Sequence, residues 1–563
     1  MIFIDFETFF DPKDKYSLKS KGMTMESYIR DPRFEIVSIA FAVDDRPPVC
    51  VLRNDPQYYA VIESLRTYAA THPFVAHNML FDGAILAWIL GIHPIMLVDT
   101  VGLARACGNR QASLDFLATK YGLPHKLDAL HKFMAGKHAG DLTADQRAEL
   151  KEYNIMDVAL CRELYKVFRQ SVPVREMIIN HLTLSMFTKP SFHIDTAPCV
   201  EVFETAEKAQ KEVLDKLGVE LTQLRSAPKF AELLRGLGVE PPMKPSATNP
   251  EKMTYAFAKT DQELLALRDH ENETVAALVC AKLGNQSSIR QSRAMRFLGI
   301  AERSKVLTGQ PLLPIPLQYC GASNTYRFSG TDDVNMQNLP RGPGLRSAVI
   351  APPQHKIISV DLSAIEARMI AWLAGQQSTL NVFRNKQDVY CHTATGVYNT
   401  PINKGDPARS VGKVLVLGLG FQMSWPKFAG EVFKGLMGNP PIQFKQADAD
   451  RLGIDVNYFK ADQFSQKQIK QYIARTGFFY PIPAHEVQVH NAVSRTLVEQ
   501  WRNNNPMIVQ YWNTCGLMLD YMEAGIERQF GAVWTGKNCI LMPNGLRLIY
   551  DDLRKDGRSY TYQ

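Results

Sequence analysis

Four acidic residues near the start of the chain stand where carboxylates could hold a hard cation. Asp5 and Glu7 lie two apart in the apolar run MIFIDFETF. In a strand that spacing turns both side chains to one face. Two same-face carboxylates are costly unless a cation neutralises them, although a solvated strand end has the same spacing. Asp82 follows in VAHNMLFDGAIL, behind Asn78 and Phe81. An Asn at a strand end and an Asp opening a helix also read as capping. Tyr153 and Asp157 in EYNIMDVALCRELY are four apart, which sets a phenol and a carboxylate on one helix face. An ordinary surface pair would look alike. The three elements together, in this order, are more specific than any one. Two hard cations about 4 Å apart require several oxygen ligands. Asp5, Glu7, Asp82 and Asp157 supply them, and Tyr153 can orient an attacking water.

The elements that must position these residues alternate. MIFIDFETF, EIVSIAFAV, PPVCVLR and FVAHN read as strands; DPQYYAVIESLRTYAATH, SLDFLATKYGL and TADQRAELKEYNIMDVALCRELYKVFRQ read as helices. This pattern predicts an α/β sandwich with a mixed sheet. From about residue 176 the pattern is helical, with the long amphipathic EVFETAEKAQKEVLDKLG and the basic RQSRAMRFLGIAERSK. GVEPPMKPSATNPEKMTYAFAKTD between them reads as an exposed loop. KIISVDLSAIEARMIAWLAG reads as a strand running into a helix, DPARSVGKVLVLGLGF and Ala484 to Glu523 as helices, and ILMPNGLRLIY as a hairpin turning at Asn544-Gly545.

A chain of 563 residues suggests about three or four domains. Hydrophobic residues at 45% and charged residues at 21% are ordinary for a globular protein. A net charge of +7 permits a polyanionic partner without demanding one. The nine cysteines lack metal-ligand spacing, and their odd number argues against a disulfide framework. A reducing compartment follows, hence a cytoplasmic location, or the host cytoplasm if the source is viral. The first residues are too short and acidic for a signal peptide. No apolar run is long enough to cross a membrane.

The first constellation resembles the proofreading exonucleases of the DEDD superfamily, in the tyrosine-bearing subclass. The resemblance implies an RNase H-like fold, a single-stranded DNA 3′ end as substrate, release of nucleoside monophosphates, and two Mg²⁺ or Mn²⁺ ions. Asp5, Glu7, Asp82 and Asp157 would be the metal ligands, and Asn78 and Phe81 would line the path of the terminal nucleotides.

Three later segments resemble family A DNA polymerases of the bacteriophage type. TYRFSGTDDVNMQNLP, with Arg327, Asn335, Gln337 and Asn338, is similar to the stretch that grips the primer–template minor groove, whose acceptors are nearly sequence-independent. VDLSAIEAR is similar to motif A. Asp361, placed at the end of an apolar strand, would bind two catalytic metals, and Glu366 would exclude ribonucleotides. Arg409, Lys413, Leu417 and Phe421 recur every four residues as one helical stripe, similar to motif B. An amphipathic helix packing on a core is the plainer reading of that stripe. By the resemblance, Arg409 and Lys413 would hold the incoming dNTP triphosphate, and Phe421 would lie near the template base. Leu417 stands where the best-known members have Phe or Tyr, and Gln422 where Gly follows.

The resemblance spans essentially the whole chain. It implies a multidomain α/β and α+β fold: an exonuclease domain at 1–175, a helical linker and thumb at 176–320, the palm start at 321–405, and fingers with part of the palm at 406–563. Ser287, Ser288, Arg290 and Arg293 would be thumb contacts to the DNA backbone. The implied activity is DNA polymerisation with 3′→5′ proofreading, in replication or repair. The implied partners are primer–template DNA and dNTPs. The family also supplies a second palm aspartate from a His-Asp-Glu hairpin, and no such triplet follows Asp361. Tyr550-Asp551-Asp552 is set aside as its replacement, because ILMPNGLRLIY aligns with an earlier family hairpin and DDLRKDGRS reads as a polar turn. The expectation is an incomplete palm that requires a separate C-terminal polymerase fragment. The alternative is an active exonuclease with a truncated, split or inactive polymerase half.

Overall fold

The opening strand β1, Ile2–Thr8, organises the first part of the molecule. Its even residues Ile2, Ile4 and Phe6 enter one apolar core. Phe3, an odd residue, enters the core on the opposite side. Asp5 and Glu7 share the face of Phe3. The computed structural model describes the whole chain apart from residues 127–132, 247–250, 259–260, 286–288, 340–343, 436–440, 558 and 563.

β1 pairs antiparallel with β2, Ile36–Val43, and β2 with β3, Val49–Leu52. On its other side β1 runs parallel to β4, Phe74–Ala76, which is parallel to β5, Leu97–Asp99. The order is β3-β2-β1-β4-β5, the mixed sheet that the alternation predicts. The core that holds Phe3 also contains Leu103, Leu117, Val158, Cys161 and Leu164. These come from the helices Thr100–Ala106, Leu114–Lys120 and Ala144–Phe168. The long helix therefore lies over the face that carries Asp5 and Glu7.

The chain divides into two compact units. The first comprises residues 1–358 and 542–549, and so holds the five-stranded sheet, the helices Val174–Thr188, Thr196–Leu217 and Ile289–Thr308, and the strands Leu317–Ala322 and Arg327–Gly330. GVEPPMKPSATNPEKMTYAFAKTD is not simply a loop. Met243–Pro245 pairs antiparallel with Met253–Tyr255, and Phe257 is buried against Phe230. That burial anchors a segment whose Pro and Ser content alone suggests exposure. At Asn544-Gly545 the chain turns as expected, with Gly545 at φ 89° and the Met542 amide donating to the Leu546 carbonyl at 2.8 Å.

The second unit, residues 359–541 and 550–563, is built around helices Ile365–Ala374, Val389–Tyr398, Ala408–Leu419, Trp425–Lys434 and Ala484–Asn504. Their core includes Val397, Leu415, Phe428, Val493 and Trp501. The expected continuous helix from Ala484 to Glu523 is two, broken at Asn505 before Pro506–Ala524. Proline has no N–H to continue the ladder and disfavours helical backbone in the residue before it. The polar stretch after Asp552 is a hairpin rather than a turn alone, pairing Arg554–Asp556 with Ser559–Thr561.

The strand expected to end at Asp361 is absent. Residues 356–362 are extended chain without a ladder partner among the described residues, and Ile358 and Val360 are 86% and 82% exposed. An apolar alternation suits a strand, but a strand also needs a neighbour for its N–H and C=O groups. The helix that follows forms as expected and ends at Gly375 in the left-handed region, φ 70°. No described helix is long and apolar enough to cross a membrane.

Candidate functional site

In the first unit, carboxylate oxygens of Asp5, Glu7 and Asp157 all lie within 4.8 Å of one another. Asp82 joins them through the backbone, since its Oδ1 accepts the Phe6 N–H at 3.2 Å. That amide is open to it because β4 pairs with β1 only at Ile2 and Phe3. Asp82 is not required as a cap. Asp99 instead accepts the Asn78 and Met79 amides at 2.9 and 3.2 Å, and the Val101 and Gly102 amides at 3.1 and 3.0 Å. One carboxylate thus satisfies the orphan donors at two helix starts. Asn78 is at φ 80° and exposed. Phe81 is half-buried, its ring 6.1 Å from that of Tyr28.

Burial pushes the Asp5 carboxyl up to about 7, reinforced by Asp157. Burial also raises Glu7 and Asp82 well above the ordinary carboxylate range, with Asp5 the leading charge against each. Asp157 is raised by burial, and Lys126 and the Tyr153 hydroxyl oppose that rise. Lys126 Nζ is 2.6 Å from Asp157 Oδ2 and lies 4.8 Å from the centre of the Tyr153 ring. Asn154 Nδ2 donates to Asp5 Oδ2 at 2.6 Å. Asp157 Oδ1 is buried with no hydrogen-bond partner. Four crowded carboxylates, one with an orphaned oxygen, fit hard divalent cations of the Mg²⁺ or Mn²⁺ type, which take oxygen ligands.

Sequence reasoning missed Lys126, Asn154 and Asp99. Asn154 had a visible signal, being adjacent to Tyr153 on the same helix. Lys126 had none, because it lies between helices in a polar stretch.

The segment expected to grip a primer–template lies in the same unit. Arg327 is an exposed strand residue. Asn335 Oδ1 accepts the Gln337 amide at 3.0 Å, and Gln337 Nε2 donates to the Phe328 carbonyl at 3.2 Å. Arg293 donates to the Asn338 carbonyl at 2.7 Å. Two of these polar side chains therefore hold their own loop together. Arg290 is exposed, while Ser287, Ser288 and Pro340 fall outside the described residues. Asp332 accepts the Met25 and Glu26 amides, and the buried Glu26 pairs with Arg30 and Arg303.

In the second unit, Arg409, Lys413 and Leu417 lie half-buried along the helix Ala408–Leu419. Phe421 is not part of that helical stripe. The helix stops at Leu419, its end tightening as Phe421 N donates to the Gly418 carbonyl and Gln422 N to that of Leu419. Phe421 is exposed, and Gln422 has φ 59°. Arg409 is held by Asp388, with Nη2 and Nε 2.8 and 3.0 Å from Oδ2. Asp388 also caps the helix Val389–Tyr398. Asp361 is exposed and Glu366 half-buried. The Tyr390 hydroxyl is raised by burial, and it feels Arg409, Asp388, Glu366 and Asp361 together. Arg409 lies over the Tyr390 ring, 5.2 Å from its centre, and sequence reasoning did not single out Tyr390.

Residues 201–476 match the sequence profile of DNA polymerase family A. The chain is 33% identical over 141 residues to a DNA polymerase of Bacillus phage SP02, covering 19% of this chain and 22% of that protein. It is 38% identical over 106 residues to DNA polymerase I of Pseudomonas aeruginosa, covering 18% and 11%. It is also 31% identical over 116 residues to the thermostable DNA polymerase I of Thermus aquaticus, covering 20% and 14%. The matched stretches thus span less than a quarter of each of these curated relatives. A solved structure, the POL domain of Pol1 from M. smegmatis in complex with DNA primer-template and dNTP, is similar at 16% identity and a TM-score of 0.47, over 86% of this chain and 84% of that one.

Proposed function

We propose that this chain is a DNA-directed DNA polymerase of family A whose residues 1–175 form an RNase H-like 3′→5′ proofreading exonuclease. The observation that carries the exonuclease reading is the convergence of Asp5, Glu7 and Asp157 within 4.8 Å, with Asp82 held beside them on Phe6. The polymerase reading rests on the family match over residues 201–476.

Asp5, Glu7, Asp82 and Asp157 would hold two Mg²⁺ or Mn²⁺ ions. When bound, such ions stabilise the attacking and leaving oxygens of a phosphodiester. The protein's own groups do the rest. Tyr153, braced by Lys126, orients the attacking water through its hydroxyl. Asn154 fixes the rotamer of Asp5. Asn78 and Phe81 border the path of a single-stranded 3′ end. In the second unit, Asp361 would be the metal ligand, Glu366 would screen the sugar, Arg409 and Lys413 would hold the dNTP triphosphate, and Phe421 would meet the template base. Arg409 would have to exchange Asp388 for phosphate oxygens. Arg327, Asn335, Gln337 and Asn338 would face the minor groove.

A second reading is favoured by one observation. The apolar run Ile357, Ile358, Val360 and Leu362 is exposed beside Asp361. Apolar residues in a contiguous exposed run mark a surface that something covers. On this reading, polymerisation requires a further polypeptide strand from a separate C-terminal polymerase fragment.

The purified chain, given a 3′-mismatched primer–template and Mg²⁺, should shorten the primer without dNTPs and extend it with them. Asp5→Ala with Glu7→Ala should abolish shortening only. Undiminished Mg²⁺-dependent shortening by that variant would remove the site assignment. Shortening without extension would select the second reading.

A further inference from the structure

The second unit presents an aromatic and basic surface that the proposed active sites do not use. Three rings stand out into solvent: Tyr458 at 74%, Phe464 at 67% and Phe479 at 71%. Large aromatic rings normally bury most of their area, so three so exposed in one short region call for an account. They lie on or beside the helices Val456–Ala461 and Gln463–Thr476.

The basic residues interleave with the rings. Between Val456 and Tyr480 the chain has Lys460, Lys467, Lys470 and Arg475 against the single acid Asp462. Asp462 is already paired with Arg495 and caps the second helix. Lys460, Lys467, Lys470 and Arg475 are all exposed. Helical geometry aligns two of them, Lys467 and Arg475, with a ring. Phe464, Lys467, Gln471 and Arg475 are spaced by three, four and four residues, one row along a helix surface. The row faces away from the buried Ser465, Ile469 and Tyr472. At 1.5 Å per residue it runs about 16 Å, room for about five nucleotides at 3.4 Å each.

The platform is fixed rather than loosely attached. Trp425 Nε1 donates to Gln468 Oε1 at 2.7 Å. The Trp425 and Phe459 rings meet edge to face at 5.9 Å. Gly430 lies under the Tyr472 hydroxyl so closely that a Cβ there would stand 2.4 Å away. Both helices are thereby seated on Trp425–Lys434.

We propose that Tyr458, Phe464 and Phe479, with Lys460, Lys467, Lys470 and Arg475, form a track for single-stranded nucleic acid. Exposed rings offer stacking faces to any base, and exposed cations follow the phosphates; this pairing is how proteins hold single strands without reading sequence. A hydrophobic protein partner would be served by the rings, but not by four outward cations. The inference rests on the DNA-handling reading of the chain and adds a contact for an unpaired strand distinct from both proposed active sites.

The test uses the full chain in EDTA, which prevents degradation, and a 16-residue oligothymidylate carrying 5-iodouracil. After irradiation, cross-linked peptides are mapped by mass spectrometry. Cross-links should fall on Tyr458, Phe464 or Phe479. Lys467→Ala, Lys470→Ala and Arg475→Ala together should remove them while leaving cross-links to residues 1–358 in place. The triple variant should also reduce the slope of log affinity against log salt by about 2, at about 0.7 for each phosphate no longer neutralised. All three side chains are exposed, so the variant should fold. Cross-links confined to residues 1–358, or unchanged in the triple variant, overturn this inference alone. No binding of the oligonucleotide anywhere overturns the DNA-handling reading with it. Displacement of the cross-links by polyglutamate but not by unlabelled oligothymidylate would assign the surface to an acidic protein partner and overturn the proposal.

Discussion

Asp5→Asn should make the metal-free protein more stable while it destroys exonuclease activity. In the folded chain burial and the neighbouring Asp157 push the Asp5 carboxyl from 3.8 up to about 7. The folded state therefore keeps a proton that the unfolded state has lost between about pH 4 and pH 7. Stability falls as pH rises wherever the folded state binds more protons. The loss accumulates through that window and is complete above it. Three units at about 1.36 kcal/mol each come to about 4 kcal/mol. Asp5 is partly exposed, and Glu7 and Asp157 share the same protons, so about 2–3 kcal/mol is the working figure. Asn does not titrate, and its amide oxygen can still accept from Asn154 Nδ2. In EDTA, the melting temperature of the variant should match wild type near pH 3.5, below the unfolded value of 3.8, and exceed it by several degrees at pH 8. The assay is thermal unfolding followed across that pH series. A difference that does not change with pH, or a variant less stable than wild type at pH 8, would refute the electrostatic account of the cluster.

Three further outcomes follow from the geometry. Tyr153→Phe should weaken 3′→5′ degradation by about 10²–10⁴-fold, the range of a positioned proton-handling group; a variant as inactive as the Asp5 and Glu7 double alanine would give Tyr153 a more direct part. Lys126→Met should lower the melting temperature in EDTA, by the equivalent of about 1–2 kcal/mol for a partly exposed partner of a buried carboxylate. It should also enlarge the stabilisation by Mg²⁺, and equal effects with and without the metal would show that Lys126 does not act as the carboxylates' counter-ion. Lys413→Ala should raise the KM for dNTP or slow incorporation, in whichever assembly polymerises, and leave degradation of single strands unchanged; unaltered dNTP dependence would remove Lys413 from the triphosphate site.

The candidate exonuclease residues were legible because local periodicity decides them. An apolar strand with period two puts Asp5 and Glu7 on one face whatever covers it, and a helix puts Tyr153 and Asp157 on one side. The helix Ala408–Leu419 was readable for the same reason, since it depends on backbone preferences within a few residues. What those carboxylates meet is a long-range matter. Only folding brings Lys126 to 2.6 Å from Asp157 and gives Asp99, rather than Asp82, the capping of the helix Met79–Ala84. The run before Asp361 marks the same limit from the other side. Ile358, Val360 and Leu362 alternate as a strand should, yet the segment is not a strand here, because a strand is completed by hydrogen bonds to a neighbour. Sequence alone determined which side chains share a face; tertiary structure decided whether anything lies opposite that face.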